Sequence, residues 1–251
     1  MLRARVMPCL LLRGRGLVKT RRFKDPVYIG DPVNAVRIFS EKEVDELVLL
    51  DIDASREQRE PDYELIAEIA GECFMPVAYG GGVRTLEQVR RLIRSGVEKV
   101  VVNSAACQST DVLRAAAEVF GSQAVVGAVD VRKPLLGGWR VLARSGTVDT
   151  GLALDAHLQA LVKAGVGELL INSIDRDGMM GGFDLELIRR VTSQVNVPVI
   201  ACGGAGSVQH LREAVQQAGA SAVAAGSLFV FHGRHRAVLI NYPTAAELSW
   251  S

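Results

Sequence analysis

Five aspartates, Asp51, Asp53, Asp130, Asp175 and Asp177, fall at or just beyond the ends of short apolar runs in this 251-residue chain. Carboxylates so placed can exchange protons, bind a cation or face a polar ligand. No histidine or cysteine stands beside them at ligand spacing, so a metal site is not expected, and Asp130 and Asp177 are the two expected to face a ligand. Glycines gather at the same run ends: Gly80-Gly81-Gly82 with Asn103-Ser104, and Gly203-Gly204 with Gly226-Ser227. Bare backbone N–H groups at a strand end, followed by the positive end of a helix dipole, make an anion cradle. Such glycines can also serve only to turn the chain. Their recurrence at matched positions favours two anion sites, suited to a ligand phosphorylated at both ends or to one that uses a single site. The candidate ligand-binding residues are therefore Gly82, Asn103, Ser104, Gly204, Gly226 and Ser227, with Asp177 and its neighbour Gly178. The stretch PCLLLRGRGLVKT, Pro8 to Thr20, runs from an apolar segment into a basic loop. Lys19, Arg21 and Arg22 there read as gripping phosphate from a mobile loop, with a merely solvated basic loop as the alternative. His232 and His235 are read as part of a polar closing turn.

Something must hold these residues together. Apolar, β-branched runs at Arg5–Leu12, Glu46–Ile52, Pro76–Tyr79, Lys99–Asn103, Ala124–Asp130, Glu168–Ile174, Pro198–Ala201 and Ala222–Ala225 read as strands. Amphipathic stretches at Asp31–Glu43, Asp62–Cys73, Thr85–Ser95, Asp111–Phe120, Asp155–Ala164, Leu185–Val195 and Val208–Ala218 read as helices between them. Continuous apolar strands alternating with helices imply parallel pairing with both faces buried. Eight such units in about 250 residues point to a single (βα)8 TIM barrel over residues 1–251. An open doubly wound sheet is the rival, but no GxGxxG follows the first strand. Arg132 and Lys133 open a small hairpin excursion that turns at Gly137-Gly138, with Trp139 as a packing anchor.

The chain repeats itself. Pro76 to Gly82 matches Pro198 to Gly204, and Glu46 to Asp53 matches Glu168 to Asp175, both 122 residues apart. Two fused half-barrels account for this. Composition sets limits on function. Net charge is +1 and 49% of residues are hydrophobic, which argues against nucleic acid as a partner and for a large core. The apolar run near the start is too short to span a membrane and no signal-cleavage pattern follows it. Four cysteines without a CxxC pair suit reduced thiols in a cytoplasmic protein.

Arg5, Glu46, Lys99 and Glu168 each begin a strand that then turns apolar. A parallel barrel gathers strand starts at its bottom face. Each charge alone reads as a solvated strand end; two acids and two bases together can close a salt-bridged plug or gate. Burying such charges costs several kcal/mol per ion unless they pair, so the ring forms only if it closes.

The segments PCLLL…GLVKT, GDPVNA, DELVLLDI, YGGGVRT, EKVVVNSAA, FGSQAVV, SGTVDTG, GELLINSIDRDG and PVIACGGAG together resemble the HisF family, the cyclase subunit of imidazole glycerol phosphate synthase. The likeness covers nearly the whole chain, and SIDRDG and FGSQ are its most specific segments. It implies a barrel that docks a class I, HisH-like glutaminase as a heterodimer on its bottom face and passes ammonia up the axis to a site at the top. On this resemblance Arg5, Glu46, Lys99 and Glu168 fall on gate positions and Glu98 on an acidic interface position. The family works with two aspartates as general acid and base, at the ends of strands 1 and 5. Asp130 holds the strand 5 position and Lys19 is kept, whereas the strand 1 position is Leu11. General acid–base catalysis supplies ~100- to 10,000-fold per group, so Leu11 should cripple cyclase chemistry.

That departure, the altered loop ending in Thr20, and the ending GSLFVFHGRHRAVLINYP resemble a narrower branch. These are HisF-like paralogues of bacterial surface-polysaccharide pathways, associated with acetamidino sugars. The resemblance implies ammonia passed to an ATP-dependent sugar amidotransferase that modifies the N-acetyl group of a phosphorylated sugar, with no cofactor on the barrel. Two alternatives stand beside it. One is a genuine imidazole glycerol phosphate synthase cyclase of histidine biosynthesis, which Leu11 disfavours. The other is a non-catalytic phosphosugar-binding scaffold that activates its glutaminase.

Overall fold

Eight parallel strands close on themselves in a barrel. The computed structural model describes residues 4–233 and 235–249; Arg234 of the closing turn lies outside them. In chain order the first half comprises β1 (Arg5–Arg13), β2 (Gly16–Arg21), β3 (Lys24–Gly30), α1 (Pro32–Glu41), β4 (Leu47–Asp51), α2 (Ala54–Glu57), α3 (Tyr63–Gly71), β5 (Val77–Gly80), α4 (Leu86–Arg94) and β6 (Lys99–Val102). The second comprises α5 (Asp111–Phe120), β7 (Val125–Arg132), β8 (Arg140–Ala143), β9 (Val148–Asp149), α6 (Leu154–Lys163), β10 (Glu168–Ser173), α7 (Leu185–Thr192), β11 (Val199–Cys202), α8 (Val208–Gln216), β12 (Ala222–Ala225), α9 (Ser227–Val230), β13 (Phe231–His232) and β14 (Ala237–Val238). The barrel order is β1-β4-β5-β6-β7-β10-β11-β12, with β12 returning to β1. The eight expected strands are these eight, displaced by a residue or two at most ends.

Local chemistry starts the helices where expected. Asp31, Asp62 and Thr85 each accept a hydrogen bond from the backbone N–H three residues on, and Thr85 with Gln88 completes a capping box. The strands are apolar on both faces because each face has its own core. Met7, Val48, Ala78, Val126, Leu170 and Ile200 fill the barrel interior. Phe39, Leu49, Ile69, Tyr79 and Leu92 belong to the layer between strands and helices. The half-barrel repeat is visible in the register: Leu50 pairs with Gly80, and 122 residues later Asn172 pairs with Cys202.

Three pieces of local structure were not expected or differ from expectation. The basic loop after β1 is the hairpin β2–β3, paired back onto β1 at Leu11↔Val18. Short helices α2 and α9 follow β4 and β12. The polar turn after β12 holds a two-stranded hairpin, β13–β14, with His232 and His235 exposed. The expected excursion after β7 is present as well: Arg132 pairs with Arg140 and Gly137 turns at φ +106°. Trp139 packs against the helix-side core, with the Lys133 ammonium 4.8 Å and the Arg190 guanidinium 5.6 Å from its ring centre.

Candidate functional site

At the bottom of the barrel the four charged strand starts meet. Arg5 Nη1 donates to Glu46 Oε2 at 2.5 Å and its other terminal nitrogen donates to Glu168. Lys99 Nζ bridges Glu46 Oε2 at 2.8 Å and Glu168 Oε2 at 3.2 Å. Cations and carboxylates therefore alternate around a closed ring. Burial works to lower the pKa of Arg5, and the Glu168 and Glu46 carboxylates outweigh it, so the guanidinium is held more firmly charged than usual. Both cations meet Glu46 at the same oxygen. Its Oε1 is buried without a partner, so the ring closes with one acceptor unused. Exposed Glu98 stands beside Lys99 on the same bottom face. Above the ring the lumen is lined by apolar side chains from Met7 up to Leu11, Cys202 and Ala224.

At the top, a cavity of about 1170 Å³, counting its open mouth, gathers Leu11, Lys19, Asp130, Asp177 and both glycine clusters. Gly82, Asn103 and Ser104 lie on one wall and Gly178, Gly204, Gly226 and Ser227 on the other. Lys19 and Thr20 are buried on β2, not displayed on a mobile loop. Lys19 Nζ lies 3.3 Å from Asp177 Oδ1, and Thr20 Oγ1 donates to Asp177 Oδ2 at 2.8 Å. Gly226 makes that possible, because a Cβ there would stand 2.7 Å from Lys19 Cε and 2.9 Å from the Cys9 carbonyl oxygen. Gly178, at φ +69°, likewise packs against the Thr20 carbonyl.

The aspartates sort by what they already hold. Asp51 takes a bidentate guanidinium from Arg59, at 2.7 and 2.8 Å, and accepts the N–H groups of Asp53 and Ala54. Asp53 takes Arg13 at 3.2 Å and Arg56 at 3.5 Å. Asp175 accepts the Lys133 N–H at 2.8 Å. These three are structural. Asp130 has no side-chain partner among the described residues. Protein surrounds it except where it faces the cavity. That burial, and secondarily the Asp177 charge, pushes its carboxyl up to about 7. Proton exchange near neutral pH is therefore within reach of one carboxylate here, and Leu11 on the same cavity wall can contribute none.

Polar atoms without partners mark where a ligand belongs. Both amide atoms of Asn103, Oδ1 of Asn172 and Oγ of Ser227 are buried and unpaired, and all three residues line the cavity. Unsatisfied buried groups cost about 1–3 kcal/mol each, so their convergence on one space favours a polar occupant. Two cradle groups are otherwise engaged: the Gly82 N–H points to Ser55 Oγ at 3.4 Å, and Ser104 Oγ accepts from Arg144 N at 2.9 Å. Asn172 and Thr20 join the site without having been singled out. Asn172 had a signal in the repeat, since 122 residues earlier the same place holds Leu50. Among the described residues no group of three or more His, Cys, Asp or Glu side chains is arranged to hold a metal, and no helix is long and apolar enough to cross a membrane.

The comparisons with known proteins agree over nearly the whole length. A family model described as "Histidine biosynthesis protein" matches residues 5–236. A Pseudomonas aeruginosa protein provisionally named imidazole glycerol phosphate synthase subunit hisF2 is 58% identical over 248 residues, 99% of each chain. A Leptospira interrogans protein, with the provisional name imidazole glycerol phosphate synthase subunit HisF, is 50% identical over 98% of each. The Streptococcus sanguinis imidazole glycerol phosphate synthase subunit HisF is 42% identical over 229 residues, 91% of each.

Proposed function

The chain belongs to the histidine-biosynthesis protein family as a HisF-like barrel, and from that premise we propose that it carries ammonia for a glutamine-dependent synthase of acetamidino sugars. In this reading a class I, HisH-like glutaminase binds the bottom face beside Glu98, and ammonia enters past Arg5, Glu46, Lys99 and Glu168. It rises through the lumen to the top cavity, where the two cradles hold a phosphorylated sugar. An ATP-dependent sugar amidotransferase activates the N-acetyl oxygen, and the complex works in the cytoplasm.

Physical chemistry supports the conduit. An apolar lumen imposes a desolvation penalty of several kcal/mol on an ammonium ion and little on neutral ammonia. A closed ring of paired charges keeps water and ions out until a side chain such as Lys99 swings aside. The observation that carries the reading is the single free carboxylate. Of the three carboxylates that line the cavity, Asp130 alone has no side-chain partner among the described residues; Arg59 holds Asp51, Lys19 and Thr20 hold Asp177, and Leu11 carries no acid. Ring-closing chemistry with two proton-transfer groups is poorly served by that set; delivery of ammonia to a carbonyl activated elsewhere is not.

The test is reconstitution. The barrel, its glutaminase and the sugar amidotransferase are combined with glutamine and an N-acetyl sugar substrate, and amidine formation is followed with and without the barrel. Undiminished glutamine-dependent product in its absence refutes the proposal. A second reading, cyclase activity for histidine synthesis, draws on the name of the 42%-identical Streptococcus relative and on the titration of Asp130. Growth of a cyclase-deficient histidine auxotroph carrying this chain would establish it.

A further inference from the structure

Beside the central cavity lies a second hollow, of about 940 Å³ counting its open mouth, which shares Thr20, Phe23, Ile52, Arg56 and Ser145 with it. We infer that this vestibule is a binding site for a diphosphate group. Its wall carries five cationic side chains, Arg13, Arg22, Lys24, Arg56 and Arg132, against two carboxylates, Asp25 and Asp53. Asp53 is already shared by Arg13 and Arg56. Among the described residues the Arg22 side chain spends only its Nε, on the Asp175 carbonyl oxygen at 3.2 Å, which leaves both terminal nitrogens to donate. Lys24 and Arg132 have no ion-pair partner among the described residues. Exposed Asp25 is the one carboxylate left to face three cations. The surplus is local, because the chain as a whole carries a net charge of only +1.

The three free cations come from separate places: Arg22 from the β2–β3 turn, Lys24 from the start of β3, and Arg132 from the end of β7. Two turns that bound the hollow are held in left-handed backbone. Arg22, Phe23 and Asp25 stand at φ +51°, +63° and +51°, and Arg144 and Ser145 across the hollow at +50° and +54°. Left-handed backbone is uncommon outside glycine, and clusters of it mark functional turns. Hydrogen bonds fix them in place: Arg22 N donates to the Asp177 carbonyl at 2.9 Å, and Ser145 Oγ donates to the Ile52 carbonyl at 2.5 Å. Guanidinium groups fork onto phosphate oxygens, and a lysine adds a point charge. One phosphate is matched by two such groups. Three free cations around a hollow of this size match two linked phosphates. Nothing in the vestibule depends on which acceptor receives ammonia, so its failure would leave the proposed function standing.

The source of the diphosphate, a nucleotide or a lipid carrier, is separated by the probes. Calorimetric titration of the full chain uses inorganic phosphate, inorganic pyrophosphate, uridine diphosphate and geranyl diphosphate, at low and at moderate salt. Pyrophosphate should bind at least tenfold tighter than phosphate. The double variant Arg22→Ala/Arg132→Ala should lose at least tenfold, whereas Arg114→Ala, an exposed cation on α5 outside both hollows, should leave pyrophosphate binding within about threefold. Tighter binding of uridine diphosphate than pyrophosphate assigns a nucleotide-linked ligand, tighter binding of geranyl diphosphate assigns a lipid-linked one, and equal binding of all three assigns recognition of the diphosphate alone. If the double variant melts well below the parent, exposed Lys24→Ala replaces it, with a threefold or greater loss expected. Pyrophosphate binding no tighter than phosphate overturns the inference, as does full retention by the variants or an equal loss in Arg114→Ala.

Discussion

Replacing Asp130 with asparagine should stabilise the barrel, and only above mildly acidic pH. Its carboxyl titrates at about 7 against an ordinary value of 3.8, owing first to burial and then to the Asp177 charge. Between those values the folded chain binds a proton that the unfolded chain has already released. Stability therefore falls as pH rises through that window and levels off above about 7. Three pH units at 1.36 kcal/mol each set a ceiling of about 4 kcal/mol. The carboxylate reaches the cavity's solvent, so about 1–3 kcal/mol is the figure to expect. Asparagine keeps the shape and never ionises. Urea unfolding followed by circular dichroism, on parent and Asp130→Asn from pH 4.5 to 8.5, reads the effect as a difference in which every other titrating group cancels. That difference should be smallest at the acid end and grow to its plateau by pH 8. A difference that is flat with pH, or that favours the parent at pH 8, refutes the assignment of Asp130 as an unpaired, proton-holding group.

Lys99→Ala leaves Glu46, 2% exposed, with Arg5 alone, and should cost about 1–3 kcal/mol by urea unfolding. In the complex with glutaminase it should also lower the yield of product per glutamine hydrolysed. Gly226→Ala drives a methyl into Lys19 and the Cys9 carbonyl. A loss of about 1–3 kcal/mol, read as a lower melting temperature, should accompany displacement of Lys19 from Asp177. Leu11→Asp returns a second carboxylate to the cavity. It should raise cyclase turnover by ~100-fold or more if that chemistry is latent, and it should destabilise the chain more at pH 8 than at pH 5, as the melting temperatures at those two values would report.

The barrel was legible because its strands are buried on both faces, so their residue types carry no competing signal. The charge ring was legible for the opposite reason, a charge at the head of an apolar run. The β2–β3 hairpin was not. In β3, residues Lys24 to Tyr28 are exposed, so no alternation marks it as a strand. In β2, Lys19 and Thr20 are buried amid apolar neighbours. A lysine is buried when it finds a partner, and its partner Asp177 lies 158 residues away. Local pattern cannot report such a contact. The sorting of the aspartates was legible only in part, for the same reason: Asp130 and Asp177 were expected to face a ligand, but nothing local showed that Lys19 and Thr20 hold Asp177. Asp51 and Asp130 look alike at strand ends, and only the folded chain brings Arg59 onto one and leaves the other alone.

That sorting also bears on what Leu11 does. Ammonia is useful to an acceptor only while it is neutral, and any free carboxylic acid along its path can turn it into an ammonium ion held in an ion pair. On the proposed route, the charges below the cavity are Arg5, Glu46, Lys99 and Glu168, paired with one another so that only Glu46 Oε1 is left unused. In the cavity, Lys19 and Thr20 occupy Asp177, and Arg59 occupies Asp51. Leucine at position 11 keeps the count of free carboxylates at one. Under the proposed function, leucine at position 11 therefore has two consequences with one cause: it leaves ring-closing chemistry without a proton-transfer group, and it leaves the proposed route of ammonia without a trap. A barrel specialised for delivery gains from both.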